Sequence, residues 1–325
     1  MKSACSSNLP VKFARWLRRH AGECKITPLA GDASARQYYR VRARDKTYIA
    51  MHSPKSEKPE QFLKVGRFLT KHKVRAPHVT IGNAGHGFIL MEDFGDVNYL
   101  SRTKDKAGRY AAACRALIHM QTLRPPTWLP SYDERLLRRE MTLYPTWYRR
   151  QLQQKPLSTA AQKIFRRAAA FVVHECAMMP RVFVHRDYHA RNLMHIDGES
   201  PGILDFQDAV VGPPAYDIVS LLRDAYVFLP LRRQYEWLEQ YRREAVAAGA
   251  PLPKSEDAMR RDFNIVGAQR GLKVLGIFAR LYLRDDKPGY LQDMPRVYKH
   301  LTAACRAVPE LSALGEVVAE APPCG

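Results

Sequence analysis

The hydrophobic positions in the first third of the chain change from a helical to a strand-like spacing and back. Phe13, Trp16 and Leu17 recur at helical spacing and predict a short amphipathic helix near the N-terminus. A second helical pattern covers Glu60–His72. Stretches rich in β-branched and aromatic residues predict strands at Lys25–Ala30, Tyr38–Ala43, Thr47–His52, His78–Ile81 and Phe88–Met91. The order is three strands, a helix and two strands.

Helical spacing dominates the rest of the chain. Long periodic segments predict helices at Tyr110–Leu123, Glu134–Gln153 and Thr159–Met179, and the pattern resumes after Pro214. Short apolar stretches interrupt it and predict a β island, with strands at Arg181–Val184, Leu193–His195 and Gly202–Leu204. We therefore predict an α+β protein, with a small β-rich lobe at residues 1–94 and a larger, mostly helical lobe at residues 95–325.

Length and composition set broad limits on the class of protein. The chain has 325 residues, 46% of them hydrophobic and 26% charged, which is typical of a globular protein with room for two cores. No apolar run approaches the roughly 18–20 residues that cross a membrane, and the first residues lack the apolar segment of a secretory signal. We expect no membrane insertion and a cytoplasmic location. The cysteines form no CxxC pair, which leaves metal clusters unsupported.

The net charge of +20 favours anionic partners such as nucleotide phosphates, acidic metabolites, nucleic acids or membrane surfaces. The basic residues are spread along the chain and are not massed in a tail, so we do not expect nucleic-acid binding to be the main function.

Two polar segments of the β island carry the chemistry. The first is HRDYHARN, in which Asp187 and Asn192 stand five positions apart, and the second is ILDFQD, in which Asp205 follows Asn192 by thirteen residues. Phosphoryl transfer needs a carboxylate that orients and deprotonates the attacking hydroxyl, and oxygen ligands that hold Mg²⁺ against the phosphates. Two aspartates and an asparagine supply these groups, and hard oxygen donors suit Mg²⁺ better than zinc.

These segments, extended to LDFQDAVVGPPAYDIVSLLRDAY, resemble the Brenner-type motif of the aminoglycoside phosphotransferase superfamily and, more distantly, the HRD and DFG motifs of protein kinases. The resemblance implies a protein-kinase-like bilobal fold, with an antiparallel sheet and one helix in the N-lobe. It implies that Asp187, with His185 beside it, is catalytic and that Asn192 and Asp205 bind Mg²⁺. It also implies that Asp217 supports the catalytic loop.

A closer resemblance extends over most of the chain. The segments GDASARQYYRV, MEDFGD, HRDYHARNLM and QRGLKVLGIFARLYLRDDKPGYL are similar to those of the bacterial N-acetylmuramate/N-acetylglucosamine anomeric kinases of cell-wall recycling. This similarity implies ATP and Mg²⁺ as cofactors and an amino sugar as the acceptor, phosphorylated on its anomeric hydroxyl.

The nucleotide site follows from the same resemblance. The turn formed by Gly31, Asp32, Ala33 and Ser34, with Arg36 close behind, is expected to cover the phosphates, because glycine and small residues let backbone N–H groups approach them. The connector formed by Glu92, Asp93 and Phe94 is expected to meet the adenine through its backbone groups.

One departure concerns the third strand. Kinases place a lysine there to hold the α- and β-phosphates, whereas Met51 occupies that position here. Arg36, Arg40 and Lys55 are the candidates for the missing charge, and the sequence does not choose among them.

The acceptor pocket is predicted from charge and aromatic residues, because carboxylates accept bonds from sugar hydroxyls and aromatic rings cover sugar faces. The candidates are Asp208, Arg223, Asp224, Glu140, Trp147 and Tyr148. An internal salt bridge is an equal interpretation of Arg223 and Asp224, and helix packing is one of Trp147 and Tyr148. Basic residues of a late helix form either a solvated face or a wall near an anionic acceptor, and they are Arg270, Lys273 and Arg280.

Three alternatives stay open from sequence. An aminoglycoside kinase or another small-alcohol kinase shares the catalytic residues. A pseudokinase binds nucleotide without transfer, and a basic nucleic-acid-binding protein does not turn over ATP. The sequence does not indicate the oligomeric state.

Overall fold

The structure is a computed structural model that describes residues 9–30, 34–44, 46–101, 106–196, 198 and 200–323. Its α-helices are α1 Val11–Ala21, α2 Pro59–Lys71, α3 Lys106–Thr122, α4 Glu134–Met141, α5 Thr159–Met178, α6 Ala215–Leu222, α7 Leu231–Ala247, α8 Glu256–Asp285, α9 Met294–Ala307 and α10 Ser312–Ala319. Its strands are β1 Lys25–Leu29, β2 Gln37–Ala43, β3 Lys46–His52, β4 Val79–Asn83, β5 Phe88–Glu92, β6 Val182–Val184, β7 Leu193–Met194, β8 Gly202–Ile203 and β9 Val210–Gly212.

The chain forms two compact units. The first contains Met1–Arg102 and Asn192–Asp208, and the second contains Thr103–Arg191 and Ala209–Gly325. Backbone hydrogen bonds explain why the later segment belongs to the first unit, since the N–H of Ile203 donates to the carbonyl of Arg75 at 2.8 Å. The lobe boundary that we drew after residue 94 stays a prediction.

The first unit is built on a five-stranded antiparallel sheet in the order β1-β2-β3-β5-β4. Helix α1 covers it with Phe13 and Leu17, which are one turn apart and fully buried against Val41, Ala50 and Leu90. The predicted strands and helices of this region are confirmed. Separately, β7 and β8 pair as an antiparallel hairpin.

The second unit is mostly helical, and α8 is its central element. This helix has 30 residues and is buried on almost every side along its middle, where α6, α9 and α5 pack against it. A helix that is apolar all round belongs in a core. Strands β6 and β9 form a short antiparallel pair in this unit, and β9 was not among the predicted strands. An antiparallel sheet with a mostly helical remainder confirms the α+β class.

One predicted helix was wrong in its extent. The pattern over Glu134–Gln153 divides into α4 and a π-helix at Tyr144–Leu152. Pro145 has no N–H to donate to the carbonyl four residues earlier, so it cannot continue the hydrogen bonds of α4. Among the residues that the structure describes, every helix is too short or too polar to cross a membrane.

Gly276 of α8 lets the chain between α4 and the π-helix approach closely, because an added Cβ would overlap the backbone of Leu143. We expect Gly276→Ala to lower the free energy of unfolding by about 1–3 kcal/mol, the usual result of overpacking a core. Urea unfolding followed by circular dichroism measures it. Gly289→Ala is the matched control, since a Cβ at Gly289 meets no atom within 4 Å. Equal stability of the two variants would show that this contact is not tightly packed.

Candidate active site

Asp217 receives two hydrogen bonds from the loop that follows β6. Its Oδ2 accepts from the backbone N–H of His185 at 2.6 Å, and its Oδ1 accepts from that of Arg186 at 2.9 Å. Arg186 has a φ of 76°, which costs a non-glycine residue roughly 1–3 kcal/mol, and the two bonds hold it there. Burial raises the pKa of the Asp217 carboxyl to about 7, while the two N–H groups oppose this by favouring its charged form. The supporting role predicted for Asp217 is confirmed.

His185 lies beneath the same loop and is fully buried. Its Nδ1 accepts a hydrogen bond from the backbone N–H of Asp187 at 3.3 Å, and its ring packs edge-on against Tyr188 with 5.8 Å between the centroids. In this position His185 shapes the backbone from which the Asp187 side chain extends.

The far end of the loop is fastened by Asp224, which we predicted as an acceptor residue. Its Oδ2 accepts from the backbone N–H of Ala190 at 2.8 Å, and its Oδ1 accepts from that of Tyr226 at 2.7 Å. Asp224 is buried and both of its oxygens bind backbone groups, so its contacts are those of a loop support.

Arg223 is buried beside it with different partners. Its guanidinium donates to Asn264 at 2.6 Å and to Gln234 at 3.3 Å, and it lies over the ring of Phe263. Burial lowers the pKa of Arg223 to about 10. These contacts are internal to the helical unit and involve residues other than Asp224.

Glu140 is the centre of a buried polar network. Its Oε1 lies 3.2 Å from Lys273 Nζ and also binds the guanidinium of Arg186. Its Oε2 accepts from Tyr132 and, at 3.2 Å, from Gln269. Burial opposes charge on both Glu140 and Lys273, yet their attraction lowers the pKa of Glu140 and raises that of Lys273. Glu140, predicted as a sugar contact, is therefore saturated by donors of its own unit.

Asp187 lies within the positive field of this network. Burial raises the pKa of its carboxyl, but the positive charges of Lys273, His189, Arg186 and Arg270 outweigh burial and hold it below its ordinary value. An ionised carboxylate at this point can orient a hydroxyl and accept its proton.

The basic residues of α8 do not form a solvated face. Arg270 is buried and donates to Ser220 at 2.7 Å, and Lys273 is buried and donates to Tyr216 at 3.0 Å. Arg280 is half-buried. The solvated-face interpretation is wrong for Arg270 and Lys273, because helix α8 has no exposed face along its middle.

The π-helix holds the two aromatic candidates in different settings. Tyr148 is fully buried, stacks on Tyr144 with 5.3 Å between the centroids, and donates to the carbonyl of Ala321 at 2.9 Å. Trp147 is half-buried. These contacts give Tyr148 the packing role that we left open.

The oxygen-bearing residues of the first unit lie at one end of the β7–β8 hairpin. Leu193 pairs with Ile203, and the carbonyl of Asn192 accepts from the N–H of Leu204 at 2.9 Å. Asn192, which precedes β7, therefore lies at the same end of the hairpin as Asp205, which follows β8. Asp205 has a φ of 61°, a backbone conformation that ends the strand and turns the chain.

Phe206 fixes the chain immediately after Asp205. It is fully buried and stacks on Phe62 of α2 with 4.8 Å between the centroids. Its ring lies 3.3 Å from where a Cβ of Gly66 would be, so the glycine lets the ring rest on the helix. Sequence reasoning missed this contact, although a glycine inside a helical pattern is the signal that could have indicated it.

The predicted hinge is held by two ion pairs of the first unit. Arg75 binds Glu92 through two hydrogen bonds of 2.8 and 2.7 Å, and Arg40 binds Asp93 through two of 2.7 and 3.2 Å. The guanidinium of Arg75 also lies 4.6 Å from the ring centroid of Phe94. These contacts fix the backbone that we expect to meet the adenine.

The other nucleotide candidates are only partly visible. Gly31, Asp32 and Ala33 lie outside the described residues, whereas the Ser34 hydroxyl accepts from the N–H of Arg36 at 3.3 Å.

Asp208 of the first unit, predicted as an acceptor residue, makes an exposed ion pair. Its Oδ1 lies 3.0 Å from Lys58 Nζ.

Comparison with known proteins decides the class. A sequence profile described as the phosphotransferase enzyme family matches residues 25–252, more than half of the chain. The chain belongs to this phosphotransferase family. It is a small-molecule kinase, as the HRDYHARN and ILDFQD segments predicted.

Curated relatives carry a more specific name. Proteins called N-acetylmuramate/N-acetylglucosamine kinase are 38% identical in Pseudomonas putida, over 91% of this chain and 88% of the relative, and 33% identical in Neisseria meningitidis, over 95% of each.

Solved structures agree on the fold of this phosphotransferase. The aminoglycoside phosphotransferase APH(2'')-Ib bound to ADP matches with a TM-score of 0.62 at 14% identity, over 95% of this chain and 99% of that one. Choline kinase LicA from Streptococcus pneumoniae matches with a TM-score of 0.65 at 13% identity, over 90% and 98%. The predicted protein-kinase-like fold is confirmed.

The field around Asp187 makes a prediction about pH. Lys273→Met removes a positive charge that lowers the pKa of Asp187, so the pKa should rise. If Asp187 is the general base that the sequence predicts, the acidic limb of kcat/KM reports its ionisation and should then move to higher pH. Lys273→Arg keeps the charge and should leave the limb near its original position. An unmoved limb in Lys273→Met would show that Lys273 does not tune the base.

Proposed function

We propose that this enzyme transfers the γ-phosphoryl group of ATP to the anomeric hydroxyl of N-acetylmuramate or N-acetylglucosamine, with Mg²⁺. The name of the curated relatives supports the acceptor, since they match this chain at 33–38% identity and over about nine-tenths of its length. The solved aminoglycoside and choline kinases share the fold at 13–14% identity, which supports no particular acceptor.

Asp187 is the proposed general base. Its carboxylate is kept ionised by Lys273 and Arg186, and its loop is fixed by Asp217 and His185. Such a group can align one hydroxyl for attack and take its proton as the bond to phosphorus forms. A hemiacetal hydroxyl is more acidic than an ordinary alcohol, so it suits a carboxylate base.

Asn192 and Asp205 are the proposed Mg²⁺ ligands. Both lie at one end of the hairpin and offer hard oxygen donors, and Mg²⁺ is commonly held by one or two such groups together with substrate phosphates. The neighbouring Gln207 donates to Asp205 at 2.9 Å and has a buried Oε1 with no partner within the described residues. The donor set therefore fits the ion, which neutralises phosphate charge when bound.

The nucleotide is proposed to contact two segments of the first unit. The backbone of Glu92, Asp93 and Phe94 meets the adenine, and the turn from Gly31 to Ser34 covers the phosphates. ATP is made and used inside cells, so a cytoplasmic location is part of this proposal.

The acceptor contacts are proposed to include Asp208 and Trp147, which are both partly exposed, as a side chain that meets an entering sugar must be. Glu140, Arg223, Asp224 and Tyr148 support the site from behind, as their buried contacts indicate.

We expect Asp187→Asn to lower kcat by about 10²–10⁴-fold, because an amide can hold a hydroxyl but cannot accept its proton. ATP binding should change little. A coupled assay of ADP release measures the rate, and Asp257→Asn on the exposed first turn of α8 is the matched control. Unchanged turnover in Asp187→Asn would remove Asp187 from the role of base.

The acceptor hydroxyl is tested with blocked sugars. N-acetylmuramate and N-acetylglucosamine should both stimulate ADP release, while their 1-O-methyl glycosides should not, because the reacting hydroxyl is absent. Efficient turnover of a methyl glycoside would contradict the anomeric assignment and would leave the kinase class unaffected. Preferential turnover of kanamycin would instead support an aminoglycoside kinase.

A further inference from the structure

The third strand of the sheet has no cation at the position where kinases hold the phosphates. Met51 stands where kinases place the phosphate-binding lysine, and its side chain is fully buried. In the sheet it pairs with Tyr38 on one side and Ile89 on the other. A phosphate-binding charge must therefore come from another position.

Two of the three candidate cations are poorly suited to this task. Arg40 binds Asp93 and also donates to Asp96 at 2.7 Å, so its guanidinium is held at the segment that is proposed to meet the adenine and not the phosphates. Lys55 is exposed on the short 3₁₀-helix Lys55–Glu57, and a solvated lysine keeps its full rotamer freedom.

Arg36 is held in a different way. Its side chain is 4% exposed and donates through Nη1 to Asp205 Oδ1 at 3.0 Å. Its Nη2 lies 3.4 Å from Glu57 Oε2 and donates to the Glu57 carbonyl, also at 3.4 Å. The Nε is buried and has no hydrogen-bond partner within the described residues. Arg36 thus carries a buried, oriented charge and has one N–H donor, at Nε, that is still available.

We propose that Arg36 supplies the phosphate-binding cation that the third strand lacks, with Glu57 as the acidic partner that orients it. This inference rests on the proposed function. A guanidinium presents five N–H donors in a planar fork and can bind a carboxylate and a phosphate together. Arg36 stands beside Asp205, the proposed metal ligand, and two residues after the turn proposed to cover the phosphates.

A comparison of two ligands separates phosphate binding from a structural role. Isothermal titration calorimetry on the full chain with Mg²⁺ measures the affinity for the non-hydrolysable ATP analogue AMP-PNP and for adenosine, which has no phosphate. Arg36→Met should weaken AMP-PNP binding by roughly 10–100-fold, the usual loss of a charge-assisted contact, and leave adenosine binding within about 2-fold. Arg36→Lys should lie between Arg36→Met and the unmodified protein, because it keeps the charge without the fork.

Two further variants complete the test. Arg42→Met, at an exposed position of strand β2, which follows Arg36 directly, is the matched control and should bind both ligands normally. Glu57→Gln keeps Arg36 but removes its acidic partner, so it should cause a smaller loss of AMP-PNP affinity with adenosine unaffected. If Arg36→Met fails to fold, as judged by circular dichroism, then Arg36→Lys and Glu57→Gln decide the question.

The outcomes are distinct. Normal AMP-PNP binding by the Arg36 and Glu57 variants, or equal loss of AMP-PNP and adenosine, overturns the role of Arg36 and leaves the proposed kinase function standing. If the unmodified protein does not bind AMP-PNP, the proposed function itself fails and the assignment of Arg36 fails with it.

Discussion

A buried carboxylate shared by two cations is the interaction on which the helical unit of this enzyme depends. Glu140 binds Arg186 and Lys273, and Tyr132 and Gln269 complete its hydrogen bonds. Burying any one of these charges alone costs several kcal/mol, so the loss of one member leaves an uncompensated charge and destabilises the others. The network ties α4, α8 and the loop after β6 into one arrangement, and its net positive charge keeps Asp187 ionised.

The first unit meets its own constraint by packing. Phe206 rests on α2 because Gly66 leaves room for its ring, and the residue before it, Asp205, is thereby fixed. The ion pair from Arg36 reaches the same carboxylate. Two adjacent residues therefore combine an apolar anchor, Phe206, with a charged group, Asp205. This arrangement fixes the proposed metal ligand although it lies outside a strand.

Local patterns explain which features could be predicted from the sequence. Strand and helix bounds in the first unit agree with prediction to within about two residues, because alternation and helical spacing are read over short windows. The HRDYHARN and ILDFQD segments predicted a kinase because they too are short motifs that can be recognised locally. Pro145 also indicated a break in the helix. The periodic pattern on both sides of it was interpreted as one continuous helix, and so the π-helix was missed.

Long-range pairing explains what could not be predicted. Arg36 and Asp205 are 169 positions apart, and no local signal links them. Glu140 was predicted to bind sugar because a carboxylate suits both a sugar and a buried ion network. The residue type alone does not show whether the carboxylate is buried. The same holds for Asp224, whose oxygens are both taken by backbone N–H groups.

The position of the transferred phosphoryl group tests the central claim most directly. The enzyme is incubated with ATP, Mg²⁺ and N-acetylglucosamine labelled with carbon-13 at C1, and the product is examined by carbon and phosphorus NMR. Our account predicts a sugar 1-phosphate, seen as coupling between the labelled carbon and phosphorus. A product without that coupling, such as a 6-phosphate, or no phosphorylated sugar at all, would contradict it.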